Sequence, residues 1–218
     1  MQKGNLFGLF LATLVGEELG RICDECRAVC AAVLGEIDGL VVGFLGQPIS
    51  PQRAFEFETS LANRLREIGR RIVEVIYNRI ESDDTDRMPQ RTQWDGQEYS
   101  RKNQKTYNRG GIATLFGQIV LLRFSYEPLQ EARDDRQKSL APLELLLGIV
   151  AGNATPALAE WLGREAADQT QEELLERLRR DYRIHWSVDV LRKVTAAVSQ
   201  GVAEYLHDAQ KARLLEWL

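Results

Sequence analysis

The residues best suited to recognise a nucleic acid lie at the start of a predicted helix in the C-terminal part of the chain. Ser187 is typical of a helix N-cap. Asp189, Arg192 and Lys193 follow on the polar face of that helix. Polar side chains at the N-terminal end of a helix can reach base edges in the major groove, and arginine and lysine can also contact phosphates. This helix is therefore the first candidate for duplex binding.

A second group of cations precedes this helix in a stretch rich in β-forming residues. Between Arg87 and Arg123 there are seven basic and two acidic residues, a net charge of +5, interleaved with aromatic side chains. A basic ribbon of this kind suits a phosphate backbone. The cations expected to lie along phosphates are Arg101, Lys102, Lys105 and Arg109. The same charges equally suit a solvated sheet edge that avoids strand pairing.

Three predicted helices would position the first candidate. Thr155 and Pro156 begin one helix, and the run from Thr170 to Glu173 is a capping box that begins the next. The helix after Ser187 has apolar residues at steps of three and four, namely Val188, Leu191, Val194, Val198, Val202 and Tyr205. This order is the outline of a helix-turn-helix, with an ordinary helical bundle as the alternative. Seven basic and eight acidic residues between Ala154 and Gln200 give a net charge of −1, which supports DNA binding only weakly.

The second candidate would lie on a small antiparallel β-meander. Asp95-Gly96 is typical of a two-residue hairpin turn, and Phe116-Gly117 lies between two further β-rich runs. Before the meander, one long helix has an apolar stripe formed by Phe57, Leu61, Leu65, Ile68, Ile72, Ile76 and Ile80.

These elements predict an α+β, mostly helical fold in three parts. Residues 1–50 form an apolar N-terminal helical segment, and residues 55–126 form the long helix with the β-meander. Residues 140–218 form the helix-turn-helix-like domain and a linking helix.

Metal-dependent catalysis finds little support in the residue pattern. Two-metal phosphoryl transfer needs carboxylates that converge at the ends of a buried sheet, and no such sheet is predicted. Cys23, Cys26 and Cys30 share one helix face without a nearby histidine, which favours packed free thiols over a closed zinc site. We therefore expect no catalytic residue, no metal ligand and no cofactor in this chain.

Composition indicates a globular protein of a reducing compartment. The chain has 218 residues, 28 Lys and Arg against 32 Asp and Glu, and three cysteines, too few for a disulfide framework. The apolar run Leu6 to Val15 is too short to span a bilayer, and Glu36 and Asp38 interrupt the run from Ala28 to Gly46. We expect a cytoplasmic protein without membrane contacts.

Several ordered motifs resemble the N-terminal region of bacterial insertion-sequence transposases of the ISKra group, which are DDE-type enzymes. They are Lys105-Thr106, residues 114–126, Pro142-Leu143-Glu144, Leu147-Gly148, residues 154–159, residues 169–171, residues 186–188 and residues 191–194. The resemblance covers residues 55–218 and implies recognition of double-stranded DNA at transposon ends. In that family a ribonuclease-H-like domain follows, in which acidic residues hold two divalent metal ions.

The resemblance also implies a chain that ends before catalysis. At Glu216-Trp217-Leu218 the linking helix would enter the catalytic domain, so we expect a truncated transposase that is not itself an enzyme. The alternative is a helical protein–protein interaction or oligomerisation module without nucleic-acid binding. The acidic pI of about 5.4 and the apolar ends, Leu6 to Val15 and Leu214 to Leu218, favour that alternative and suit a homo-oligomer.

Overall fold

The computed structural model describes residues 16–94, 96–108, 110–129 and 139–216. Its fold is α+β and mostly helical, as predicted. The apolar run Leu6 to Val15, Arg109 and the last two residues lie outside the described residues.

The chain divides into two compact units that differ from the three predicted parts. Unit 1 comprises residues 1–109 and 119–146, and unit 2 comprises residues 110–118 and 147–218. The division differs because residues 16–45 pack along the long helix instead of forming a segment of their own. In addition, one short hairpin inside the predicted meander belongs with the C-terminal helices.

Two long helices form a hairpin in unit 1. Helix α1 spans Gly16–Leu45 and helix α2 spans Pro51–Ile80. Ser50 caps α2, since its Oγ accepts a hydrogen bond from the Arg53 backbone N–H at 3.3 Å, and Pro51 occupies the first turn. The rings of Phe44 and Phe57 stack with centroids 4.6 Å apart.

The hairpin has a thin apolar core. Only Ile22 and Val33 of α1 are buried among its described residues, and no residue of α2 is buried. Most of the predicted stripe on α2 is half-buried, while Leu65 and Ile76 are exposed. The stretch Glu18–Leu45 of α1 is long and apolar enough to cross a membrane by length and composition. Little of this stretch is buried, so the expected absence of membrane contacts stays a prediction.

Unit 1 continues with a 3₁₀ turn and five short strands. The turn is Thr85–Arg87, and the strands are β1 (Arg91–Trp94), β2 (Gln97–Arg101), β3 (Thr106–Tyr107), β6 (Leu122–Arg123) and β7 (Tyr126–Pro128). The first predicted hairpin is confirmed, because Trp94 pairs with Gln97 and Gly96 has a positive φ of 78°. The predicted single meander is wrong: β2 pairs with β7, and β3 pairs with β6 in a separate sheet.

Polar side chains of α2 join the helix to the extended segment 120–124. Three backbone N–H groups at every second residue donate to side chains of α2 and of its C-cap residue Glu81: Val120 to Glu74 Oε2 at 3.0 Å, Leu122 to Asn78 Oδ1 at 2.6 Å and Phe124 to Glu81 Oε2 at 2.6 Å. The i, i+4, i+7 spacing on the helix thus matches the two-residue period of extended backbone. Nearby, Phe124 and Tyr126 pack with Tyr99, Met88 and Leu140. Helix α3 (Pro142–Leu146) completes unit 1.

Unit 2 contains one tight hairpin and three helices. Strands β4 (Ile112–Thr114) and β5 (Gly117–Ile119) precede helices α4 (Pro156–Glu165), α5 (Gln171–Tyr182) and α6 (Val188–Glu216). The backbone of Ala113 bonds to Asn153 at 2.8 Å and to Thr155 at 2.9 Å, which ties the hairpin to the start of α4. The core consists of Leu158, Leu162, Leu174, Leu178, Ile184, Leu191 and Val194, with Ala113, Ala154 and Ala159.

Candidate nucleic-acid interface

The connection between α5 and α6 is fixed at both ends. Thr170 and Glu173 form the predicted capping box at the start of α5. At its end Arg183 has a left-handed conformation with a φ of 55°, and the Ile184 N–H donates to the Leu178 carbonyl at 3.0 Å. Ile184 is fully buried and anchors the five-residue connection to the core of unit 2, while Arg183, His185 and Ser187 are exposed.

The start of α6 presents all four predicted residues to solvent. Ser187 is exposed, and its Oγ accepts from the Val190 N–H at 3.4 Å, a long bond that still matches the predicted N-cap. Leu191 and Val194 are buried against α4 and α5. Asp189, Arg192 and Lys193 are exposed on the other faces of the same turns.

Arg192 and Lys193 at the start of α6 form no ion pair with a carboxylate of any described residue, and Asp189 lies one turn before them. The Arg192 Nε donates to the neutral amide oxygen Gln171 Oε1 at 3.1 Å. Four other cations of unit 2 form ion pairs: Arg164 with Glu160, Arg177 with Glu165 and Asp181, Arg179 with Glu176 and Arg180 with Asp181. Arg183, Arg192 and Lys193 form no ion pair with any described residue, so the uncompensated cations among the described side chains of unit 2 lie on the connection and on the first turns of α6.

The predicted basic ribbon is a different case, because two of its members are internal. Arg101 is only 9 % exposed, and its guanidinium lies over the ring of Phe124 at 4.8 Å. The Lys105 side chain is 8 % exposed, and its Nζ donates to the Glu81 carbonyl and to Asp83 Oδ1, both at 2.7 Å. Burial leaves neither side chain able to lie along a phosphate backbone, so the prediction for this pair is wrong.

The remaining cations of the ribbon are mostly paired with carboxylates from outside it. Lys102 is exposed and lies 2.6 Å from Glu127, and Arg123 Nε lies 2.5 Å from Glu144 Oε1. Arg87 pairs with Asp84 at 3.4 Å. The net charge of the stretch is therefore largely cancelled at close range, and among its described cations only Arg91 is exposed without an ion pair to a described residue.

Unit 1 instead holds a buried charge cluster, formed by Glu81, Arg101 and Lys105. Glu81 is 1 % exposed, and burial raises the pKa of its carboxyl group to about 7, although Lys105, Arg123 and Arg101 oppose that rise. Its Oε1 has no hydrogen-bond partner among the described residues, and neither have Nε and Nη1 of Arg101. The cluster is thus a structural centre in which charge is held at a cost in desolvation.

The cysteines of α1 do not assemble into a metal site. Cys23 is exposed, while Cys26 and Cys30 are half-buried. Burial and then the neighbouring Cys23 and Cys30 raise the pKa of the Cys26 thiol above its ordinary value. Among the residues that the structure describes, no group of three or more His, Cys, Asp or Glu side chains is arranged to hold a metal ion.

Sequence reasoning missed the cluster because its anion lies outside the basic stretch. Glu81 reads as the first residue after an amphipathic helix, where a solvated carboxylate is ordinary. One signal was available: Glu74, Asn78 and Glu81 form a polar i, i+4, i+7 line next to the apolar stripe of α2.

No protein-family model, curated protein or solved structure matches the chain, so function rests on these residues and on the motif resemblance.

Proposed function

We propose that the chain binds double-stranded DNA through the start of α6, as the N-terminal part of a transposase that recognises transposon ends. One observation carries the proposal: Arg192 and Lys193 are exposed and without carboxylate partners among the described residues, while Leu191 and Val194 of the same turns are buried. Packing thereby fixes which way the cations face. The series of motifs that resembles the ISKra group supports the assignment to transposition.

Helices α5 and α6 would act as the helix-turn-helix of this domain. In such units the second helix enters the major groove with its N-terminal residues towards the bases. Arg192 suits bidentate contact with guanine, Lys193 suits guanine or a phosphate, and Asp189 can accept from the amino group of cytosine. Ser187 lies where a hydroxyl can donate to a phosphate. Asp189 also repels phosphates, so it would contribute to the choice of DNA sequence and would add little to affinity.

The proposal covers binding and assigns no chemistry to the chain. Arg101 and Lys105 are excluded from the interface by burial. Lys102 lies beside the carboxylate of Glu127, so the pair presents no net charge to a phosphate and would contribute little affinity.

The test is a fluorescence-anisotropy titration of the full chain with duplexes carrying the terminal repeats of its own element and with scrambled duplexes, over a series of salt concentrations. We expect a preference for the terminal repeats. The Arg192→Ala/Lys193→Ala variant should lose at least about tenfold in affinity for them, because each specific base contact is worth about 1–3 kcal/mol. Its salt dependence should also flatten by about one unit of slope for each phosphate contact removed.

Arg164→Ala is the matched control. Arg164 is an exposed cation of unit 2 that pairs with Glu160, so its loss should leave affinity within about twofold. Equal losses in the two variants, or no preference for the terminal repeats at moderate salt, would overturn the proposal.

A second candidate function is a helical interaction module that binds no nucleic acid. The exposed apolar side chains of the α1–α2 hairpin favour it. The same titration separates the two, because an interaction module would show no salt-dependent binding to any duplex.

A further inference from the structure

The α1–α2 hairpin has two long sides of opposite character. On one side cross-helix ion pairs join the helices: Glu36 to Arg64 at 2.5 Å and Glu25 to Arg79 at 2.7 Å. Glu25 and Glu36 each lie about 60° around the helix from the buried line of α1 through Ile22 and Val33, at about 100° per residue. We call this the ionic side.

The opposite quarter of α1 is an exposed apolar stripe. Its positions repeat every eleven residues and are Leu19, Cys23, Cys30, Leu34, Val41 and Leu45. The four aliphatic side chains among them are all exposed, Leu34 by 55 %. An eleven-residue repeat follows the helix almost parallel to its axis, so these side chains form one continuous line.

Helix α2 extends the same apolar side. Leu65 and Ile76 are exposed and again eleven residues apart. Leu65 follows Arg64, which faces the ionic side, so a rotation of about 100° takes it to the opposite side. Because the helices run antiparallel and Glu36 meets Arg64, Leu65 lies beside Leu34. We call this surface the open face.

The open face is too extensive for a stable hairpin to leave in water. Two helices buried only at Ile22 and Val33 gain little from packing, while conformational entropy is lost over the whole of both helices. Helices of 30 residues are about 45 Å long and each about 10 Å across, so one side of the pair, two helix widths wide, offers on the order of 800–900 Å². That is the area each partner buries in a standard protein interface.

We propose that the open face packs against the open face of a second copy of this chain, forming a four-helix bundle in a two-fold symmetric dimer. A two-fold interface must be complementary to itself. On α2 the eleven-residue pattern comprises Ala54, Glu58, Leu65, Gly69, Ile76 and Ile80. With the six positions of α1 it contains one charged residue, Glu58, in twelve positions, and so it meets this demand. The ionic sides then remain in solvent, as in other antiparallel bundles.

A lipid bilayer fits this surface less well than a second copy does. Helix α1 alone has the composition of a membrane span, but α2 carries ten charged residues in 30. Insertion of α1 would break both cross-helix ion pairs and the stacking of Phe44 on Phe57. The hairpin as folded therefore favours a protein partner with the same face.

The test measures the mass of the full chain by light scattering after size exclusion. We expect twice 24.8 kDa for the wild-type chain and 24.8 kDa for Leu34→Glu/Leu65→Glu. Both side chains are more than half exposed within one chain, so the substitutions should spare the hairpin, and helix content is checked by circular dichroism. Val42→Glu is the control: Val42 is 71 % exposed but faces away from α2 and from the open face, so this variant should remain dimeric.

A second readout needs no charge substitution. Cys23 is exposed and lies on the open face, so its reaction with a thiol reagent should slow at least severalfold as the wild-type chain is concentrated from the monomeric to the dimeric range. A monomeric wild-type chain with constant Cys23 reactivity would overturn the proposal, as would dissociation caused equally by Val42→Glu. Monomeric protein that cosediments with phosphatidylcholine vesicles would assign the face to a bilayer instead.

Discussion

The start of α6 and the strand region of unit 1 contain the same kinds of cation with opposite environments. At the start of α6, Arg192 and Lys193 are exposed and meet no carboxylate among the described residues. In unit 1, Arg101 is 9 % exposed and the Lys105 side chain is 8 % exposed. The Lys105 Nζ donates to Asp83 and to the backbone carbonyl of Glu81 at the end of α2. Judged by local charge alone, the strand region is the better nucleic-acid site, since its net charge is +5 and that of the helical region is −1.

The difference shows that the repeat of buried positions along a helix determines whether a cation is exposed. The net charge of the surrounding sequence does not determine it. In α6 the burial of Leu191 and Val194 leaves the two residues between them no direction but outward. The strands of unit 1 are two to five residues long, so loops and distant side chains surround each cation. Carboxylates from the 81–84 loop, Glu127 and Glu144 then cancel the local excess.

The largest effect we expect comes from removing the anion of the buried charge cluster. Glu81→Ala should lower the free energy of unfolding at pH 5 by about 3–5 kcal/mol, because the buried Phe124 N–H loses its acceptor and the removal of a fully buried side chain leaves a cavity. Urea unfolding measures the change. Glu74→Ala, which removes the equivalent bond to the Val120 N–H from a partly exposed position, should cost about 1 kcal/mol. Similar losses of unfolding free energy in both variants would mean that the buried cluster stabilises the fold no more than an ordinary hydrogen bond does.

The same carboxyl group should make stability depend on pH. Burial raises the pKa of Glu81 from about 4.5 to about 7, so the folded state binds its proton more tightly than the unfolded state does. This contribution is complete below pH 4.5 and is lost as pH rises to 7, a fall of about 3 kcal/mol in the free energy of unfolding. Urea unfolding at pH 5, 6, 7 and 8 measures it against Glu81→Gln, which keeps an acceptor for Phe124. Parallel curves for the two proteins would contradict the assignment.

Most elements were predictable because their signals are local. The capping box at Thr170, the proline start of α4, the cap at Ser187 and the Gly96 turn each depend on a few adjacent residues, and all lie where expected. The order of strands was not predictable, because the pairing of β2 with β7 joins segments that are 25 residues apart, and no local residue pattern specifies it.

The candidate site divides in the same way. The outward direction of Arg192 and Lys193 follows from a helical period that can be read along the chain. The burial of Lys105 depends on hydrogen bonds to Glu81 and Asp83, more than twenty residues away, and on the ring of Phe124 beneath its ammonium group. Charge counted within a window omits such partners, and this omission explains why the ribbon was assigned to phosphates.

A matched pair of lysine substitutions isolates the effect of environment at constant chemistry. Lys105→Ala should cost about 1–3 kcal/mol of unfolding free energy, because the Glu81 carbonyl at the end of α2 loses its donor in a buried position. Lys193→Ala removes the same side chain from solvent and should change stability by no more than about 0.5 kcal/mol. Urea unfolding of both variants at pH 7 gives the comparison. If Lys193→Ala were as damaging as Lys105→Ala, the start of α6 would be structural, and its cations would not be available to a duplex.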